Sequence, residues 1–144
     1  MRPTVALGSD HAGFEMKESL KQWLTHNRYD VEDFGVFSSE SADYPDIAHP
    51  LAKMISAGKH RFGILLCGSG NGVAITANKY QGIRAAICWS EELAMLARLH
   101  NDANILCLPA RFIRVDTAEK ITAQFLTASF EGGRHQRRID KMKC

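Results

Sequence analysis

The strongest constraint on the fold is a rhythm in which short aliphatic runs alternate with stretches of helical spacing, five times over. Residues 4–7, 30–34, 62–67, 84–88 and 104–108 read as strands. Residues 14–26, 45–57, 70–79, 91–101 and 117–129 read as helices, the first through the spacing of Met16, Leu20, Trp23 and Leu24. The runs Ile64-Leu65-Leu66-Cys67 and Ala85-Ala86-Ile87-Cys88 are apolar throughout rather than alternating, as strands buried on both faces are. Strict βα alternation around such strands specifies an α/β chain, a three-layer αβα Rossmann-like fold on a five-stranded parallel sheet. The expected order is 2-1-3-4-5, which opens a crevice beyond the carboxyl ends of strands 1 and 3.

At 144 residues the chain fits one domain, with a basic segment at about 131–144. That segment carries Arg134, Arg137, Arg138, Lys141 and Lys143 against Glu131 and Asp140, yet the whole chain has a net charge of only +2. So weak a charge argues against nucleic acid as the main partner and leaves room for a local anion site. No apolar run approaches the roughly 20 residues that cross a bilayer, and the first strand starts without a secretory segment, so a cytoplasmic enzyme with no membrane partner is expected. The four cysteines are dispersed, with no Cys-x-x-Cys pair and no metal-finger spacing.

The segments after strands 1 and 3 are the most unusual in the chain. In Cys67-Gly-Ser-Gly-Asn-Gly72, the glycines Gly68, Gly70 and Gly72 let a tight turn present several N–H groups at a helix start, a nest for negative charge. The spacing is that of neither the dinucleotide fingerprint, nor the Walker loop, nor the nucleophile elbow. A purely structural turn remains open on glycine count alone. Cys67 stands at a strand's carboxyl end facing a helix start, where a thiolate is favoured as base or nucleophile; Cys88 and Cys107, mid-strand, read as core. Ser69 either relays a proton or caps the helix. Across the crevice, Asp10 either caps the next helix or holds a sugar hydroxyl, and His11 suits a phosphate or ring oxygen.

Further along, His100 shares a helical face with Leu93, Leu96 and Ala97, a core pattern that the neighbouring Asn101 and Asp102 shift towards a site. A helix leaving strand 4 ends at the amino edge of the sheet, so His100 is expected to serve a partner's crevice. Arg134 and Arg138 are spaced i, i+4 and would share one helical face, as a phosphate clamp or as a solvated tail. Arg111 is a further cation just past strand 5. Asp46-Ile-Ala-His49 reads as a surface helix pair rather than a metal site.

Taken together, Gly8-Ser-Asp-His-Ala-Gly-Phe14, Asp43-Tyr-Pro45, Cys67-Gly-Ser-Gly-Asn-Gly72, Ala77-Asn-Lys79, His100-Asn-Asp102 and Gly132-Gly-Arg-His-Gln-Arg-Arg138 make the chain resemble the ribose-5-phosphate isomerase B family, which includes allose- and galactose-phosphate isomerases. The resemblance spans almost the whole chain. It implies a homodimer, in some members a tetramer, that interconverts ribose 5-phosphate and ribulose 5-phosphate with no metal and no organic cofactor. By the same resemblance Cys67 is the base, His100 the ring-opening acid and Ser69 the hydroxyl relay. Asp10, His11, Tyr44, Gly68, Gly70, Asn71, Gly72, Asn101, Arg111, Arg134 and Arg138 then bind substrate. Some members replace the cysteine by a glutamate at the position of Val73, so this chain resembles the cysteine type; its Ser69 stands where many members carry threonine. A six-carbon sugar phosphate, a nucleotide-binding regulatory module on the same fold and a thiol redox protein are the competing readings, the last disfavoured by the lack of a resolving cysteine near Cys67 in sequence.

Overall fold

The computed structural model describes residues 2–144. Its five parallel strands are β1 (Thr4–Ser9), β2 (Asp30–Asp33), β3 (Phe62–Cys67), β4 (Ala85–Ile87) and β5 (Ile105–Pro109). The helices are α1 (Phe14–His26), α2 (Tyr44–Ser56), α3 (Asn71–Ala77), α4 (Glu91–Asn101), α5 (Val115–Thr127) and α6 (Arg134–Asp140), with a single 3-10 turn at His11–Gly13 before α1. No helix is long and apolar enough to cross a membrane among the described residues. Local chemistry accounts for several boundaries. Ser90 caps α4 by accepting from the Leu93 N–H at 3.3 Å, Glu91 and Glu92 lie in its first turn, and Arg98 and His100 in its last. Pro45 occupies the first turn of α2, where its missing N–H costs nothing.

The fold class is the one expected, but the sheet order is β2-β1-β3-β5-β4 rather than 2-1-3-4-5. Burial explains the exchange. Every residue of β5 is buried, whereas all three of β4 are only half-buried, so the chain places β5 against β3 and leaves the short β4 at the edge. The exchange also decides where α4 lies. Because β4 to β5 runs back towards the sheet centre, a right-handed crossover carries α4 to the face of α1 and α5. One core accordingly joins Leu20 and Leu24 of α1, Ala94 and Ala97 of α4, and Ile121 and Phe125 of α5 over Val5, Leu7, Ile64, Leu66, Leu106 and Leu108. The other joins Ile47, Leu51 and Ile55 of α2 and Val73, Ala74 and Ala77 of α3 over Ala6, Leu65, Cys67, Ile105 and Cys107. Each fully buried Leu or Ile contributes about 1.5–3 kcal/mol, so the central strands are the main source of stability.

One buried ion pair ties this frame to the crevice. The Lys17 amino group on α1, fully buried, donates to both Asp33 oxygens at 2.8 Å, and Lys21 adds a third bond at 3.1 Å. Asp33 ends β2 and also accepts the Gly35 N–H at 2.8 Å, fixing the start of the loop that crosses towards α2. Burial works against the Asp33 carboxylate, but the hydrogen bonds from Lys17, Gly35 and Lys21 outweigh it and hold its pKa below the ordinary 3.8. Since the folded value is the lower one, the stability it contributes is present above pH 3.8 and is lost as pH falls through the depressed folded value. Asp33→Ala strands the Lys17 charge and is expected to destabilise the protein by about 3 kcal/mol in denaturant melts, with partial recovery when Lys17→Met is added.

Candidate active site

Parallel pairing brings the two unusual segments together. Ser9 is opposite Leu66 in the β1–β3 register, so Asp10 and Cys67 leave neighbouring strands side by side. The Cys67 thiol is buried and its sulfur accepts the Gly70 N–H at 3.2 Å. The other two buried thiols have no such partner: burial pushes Cys88 up to about 12, and burial, with the nearby Cys67 and Cys88 thiols adding to the effect, raises Cys107 well above its ordinary value. Cys67 is thus the one buried cysteine whose sulfur meets an amide donor at the crevice.

The loop after Cys67 has its shape forced by its neighbours. Gly70 adopts φ 79°, the left-handed region, and a Cβ there would stand 3.2 Å from Ile87 Cγ2. A Cβ on Gly72 would collide with the Tyr44 ring, so Tyr44 is laid directly on the first turn of α3. Ser69 is exposed and its Oγ accepts the Asn71 N–H at 3.2 Å, which orients the hydroxyl at the helix start. Arg111 arches over the loop. Its N–H donates to the Gly68 carbonyl at 3.0 Å and its guanidinium reaches within 3.0 Å of where a Gly68 Cβ would be, with no ion-pair partner among the described residues.

On the β1 side the capping reading of Asp10 holds. One carboxylate oxygen accepts the Ala12 and Gly13 N–H groups at 3.0 and 3.2 Å, capping the 3-10 turn. His11 Nδ1 sits 3.1 Å from the Ala42 backbone nitrogen and 3.3 Å from its carbonyl oxygen, so a hydrogen bond to Ala42 holds the ring in either tautomer. The same bond anchors the loop ahead of Tyr44.

His100, Asn101, Arg134 and Arg138 are elsewhere. They sit at the end of α4 and on α6, at the amino edge of the sheet, opposite the edge that carries Cys67. His100 is not core: its side chain is 38% exposed, its Nε2 is 3.3 Å from Glu131 Oε1, and its ring stacks on His135 at 4.2 Å and 11°. Burial, with His100 and Arg134 beside it, keeps the His135 imidazole below its usual pKa. Arg134 and Arg138 are exposed on one face of α6 without ion-pair partners among the described residues. The helix expected from their spacing therefore forms.

Residues 5–142 match the family described as Ribose/Galactose Isomerase. The chain belongs to that family. It is 41% identical over 136 residues to ribose-5-phosphate isomerase B of Escherichia coli (strain K12), covering 94% of this chain and 91% of that protein. A ribose 5-phosphate isomerase from Thermotoga maritima is 49% identical with a TM-score of 0.96, covering 99% of this chain and 98% of its own. The ribose-5-phosphate isomerase B of Mycoplasma genitalium, solved with bound ribulose-5-phosphate, is 42% identical with a TM-score of 0.94, covering 99% and 95%.

Several residues that shape this isomerase fold around its site carried no usable signal in the sequence. Asp102, adjacent to the His100-Asn101 pair, is not free for a ligand: it binds Arg98 at 2.8 Å and Arg84 at 3.4 Å. Arg98 is buried, stacks 4.7 Å from the Phe62 ring centroid and also donates to the Ala103 carbonyl, while Arg84 holds the Asn101 and Asp102 carbonyls. Together they lock the last turn of α4, where Asp102 takes φ 46°. The i, i+4 spacing of Arg98 and Asp102 is the only hint the sequence offers. The Asp46 and His49 pair is exposed on α2 as read, His49 bonding the Tyr80 hydroxyl at 2.5 Å. Gly70→Ala is expected to cost about 1–2 kcal/mol in thermal unfolding for the left-handed backbone, and to lower turnover more than affinity because the N–H held on Cys67 moves.

Proposed function

We propose that the whole chain, 1–144, works as one cytosolic aldose–ketose isomerase domain that interconverts ribose 5-phosphate and ribulose 5-phosphate. The observation that carries the reading is the pairing of a buried Cys67 sulfur with an amide donor, in a crevice that also presents Asp10, His11 and the glycine loop. The chemistry needs a base at carbon, donors for the oxygens of an enediolate and a cation for phosphate, and these groups supply each. In this reading His11 and Arg111 meet the anionic oxygens.

In this reading His100 opens the furanose by protonating the ring oxygen as the C1 hydroxyl loses its proton. The Cys67 thiolate then takes the C2 proton of the open aldehyde, and the electron pair moves through C1 to give the enediolate. N–H groups of Gly68, Gly70, Asn71 and Gly72 hold its oxygens, each such donor being worth about 3 kcal/mol. Ser69 accepts the O2 hydroxyl proton and passes its own to O1, so that O2 becomes the ketone oxygen as the Cys67 thiol returns its proton to C1. Tyr44 flanks the sugar, and Asn101 binds a hydroxyl. Phosphate lies among Arg111, Arg134 and Arg138, where its binding orients the distant carbons.

Since His100, Asn101, Arg134 and Arg138 lie at the opposite sheet edge from Cys67, the reading requires a homodimer whose sites are completed across the interface. No metal or organic cofactor takes part. Cys67→Ala is expected to lower ribose 5-phosphate isomerisation by about 10²–10⁴-fold; activity near that of the parent protein would remove Cys67 from the base role. Mixing inactive Cys67→Ala and His100→Ala chains should restore part of the activity, since some mixed dimers hold one intact site. A panel with allose 6-phosphate and galactose 6-phosphate beside ribose 5-phosphate measures the preference for sugar length.

A further inference from the structure

We propose that His100, Glu131 and His135 form a binding site for a zinc-class divalent cation, and that filling it withdraws His100 from sugar chemistry. The inhibitory consequence rests on the reading of His100 as the ring-opening acid. The site itself does not.

Three separate stretches of chain converge here: the last turn of α4, the segment ahead of α6 and the first turn of α6. The Glu131 N–H donates to the Leu99 carbonyl at 3.0 Å, which pins its backbone beside His100. Glu131 Oε1 lies 3.3 Å from His100 Nε2 and 3.8 Å from His135 Nε2, and the three donor atoms all fall within 4.8 Å of one another. Bonds of about 2.0–2.2 Å put the ligands of a tetrahedral ion roughly 3.3–3.5 Å apart, so two of the three edges are already near that spacing. The imidazoles lie stacked, with their donor nitrogens side by side, and His100 is exposed enough to turn. A modest opening of the stack aims both nitrogens at one point.

The donor set selects the ion. Two imidazoles and one carboxylate with a fourth position open to water suit zinc, cobalt(II) or nickel(II), whereas magnesium and calcium favour oxygen ligands throughout. Arg134 and Arg138, on the same helix as His135, oppose a cation and reduce its affinity; the Glu131 charge offsets part of this. The outcome is an exchangeable inhibitor site rather than a resident cofactor. A bound ion takes the Nε2 lone pair of His100 and leaves it no proton to deliver from that atom.

The test uses full-length protein carrying Cys67→Ala and Cys144→Ala, which removes the crevice thiol and the exposed one as competing ligands. Calorimetric titration with Zn²⁺ should give one site per chain, weakened at least about tenfold by Glu131→Gln and by His135→Ala, with Mg²⁺ silent. Glu131 is exposed, so Glu131→Gln stays informative even where His135→Ala disturbs folding. Co²⁺ should give the visible absorption of a low-symmetry site without sulfur-to-metal charge transfer. In protein retaining Cys67, Zn²⁺ should inhibit isomerisation reversibly, chelator should restore it, and Glu131→Gln should need about tenfold more Zn²⁺ for the same inhibition. Absence of Zn²⁺ binding in the thiol-free protein, or binding unchanged by both substitutions, overturns the proposal. Binding at this site in a protein with no isomerase activity sustains the site and overturns the reading of His100.

Discussion

Everything about this molecule's chemistry depends on the five strands running in the same direction. In a parallel sheet every strand-to-helix junction opens on one edge and every helix-to-strand junction on the other. Cys67, Asp10 and Arg111 follow strands, whereas His100 and Asn101 end a helix that leads into a strand. A six-residue strand such as β3 spans about 20 Å at about 3.3 Å per residue, more than any side chain bridges. The candidate groups are therefore divided by the architecture itself, and under the proposed function it is this division that calls for two copies at one sugar.

Most of this was legible in the sequence because periodicity reports burial. The bounds of α1, β3 and α4 are those read from the apolar spacing, and the two crevice segments are where continuous strands end in glycine. The order of β4 and β5 was not legible, since both look like short apolar runs; what separates them is that β5 is buried throughout and β4 only half so. His100 shows the converse failure. Its place on the apolar stripe of α4 suggested burial, but that stripe runs out at the last turn, where the sheet no longer covers it and His135 does.

The least legible features are the buried charges, because a sequence gives no sign of which lysine or arginine loses its water. Lys17 and Arg98 are the largest fully buried side chains, and each anchors one chain segment that carries candidate site residues. Lys17 fixes Asp33 and, through the Gly35 N–H, the loop that brings Ala42 to His11 and Tyr44 to the glycine turn. Arg98 fixes Asp102 and the end of α4 that carries His100. Neither touches the crevice. Both serve to hold a segment that hydrophobic packing alone would leave loosely determined, because loops and helix ends bury little apolar area.

That arrangement also explains why one thiol out of three buried ones is suited to chemistry. Cys67, Cys88 and Cys107 cluster at the sheet, and burial, joined at Cys107 by the neighbouring thiols, makes Cys88 and Cys107 hold their protons. Cys67 differs by position rather than by residue type: it is the last residue of the central strand, and the chain beyond it must turn back towards α3. The turn needs a left-handed residue at Gly70, and the N–H that this conformation swings inward is the one that meets Cys67 Sγ. The geometry that lets the strand end is thus the geometry that equips the sulfur, so the glycine loop cannot be altered as a piece of backbone without being altered as a piece of the site.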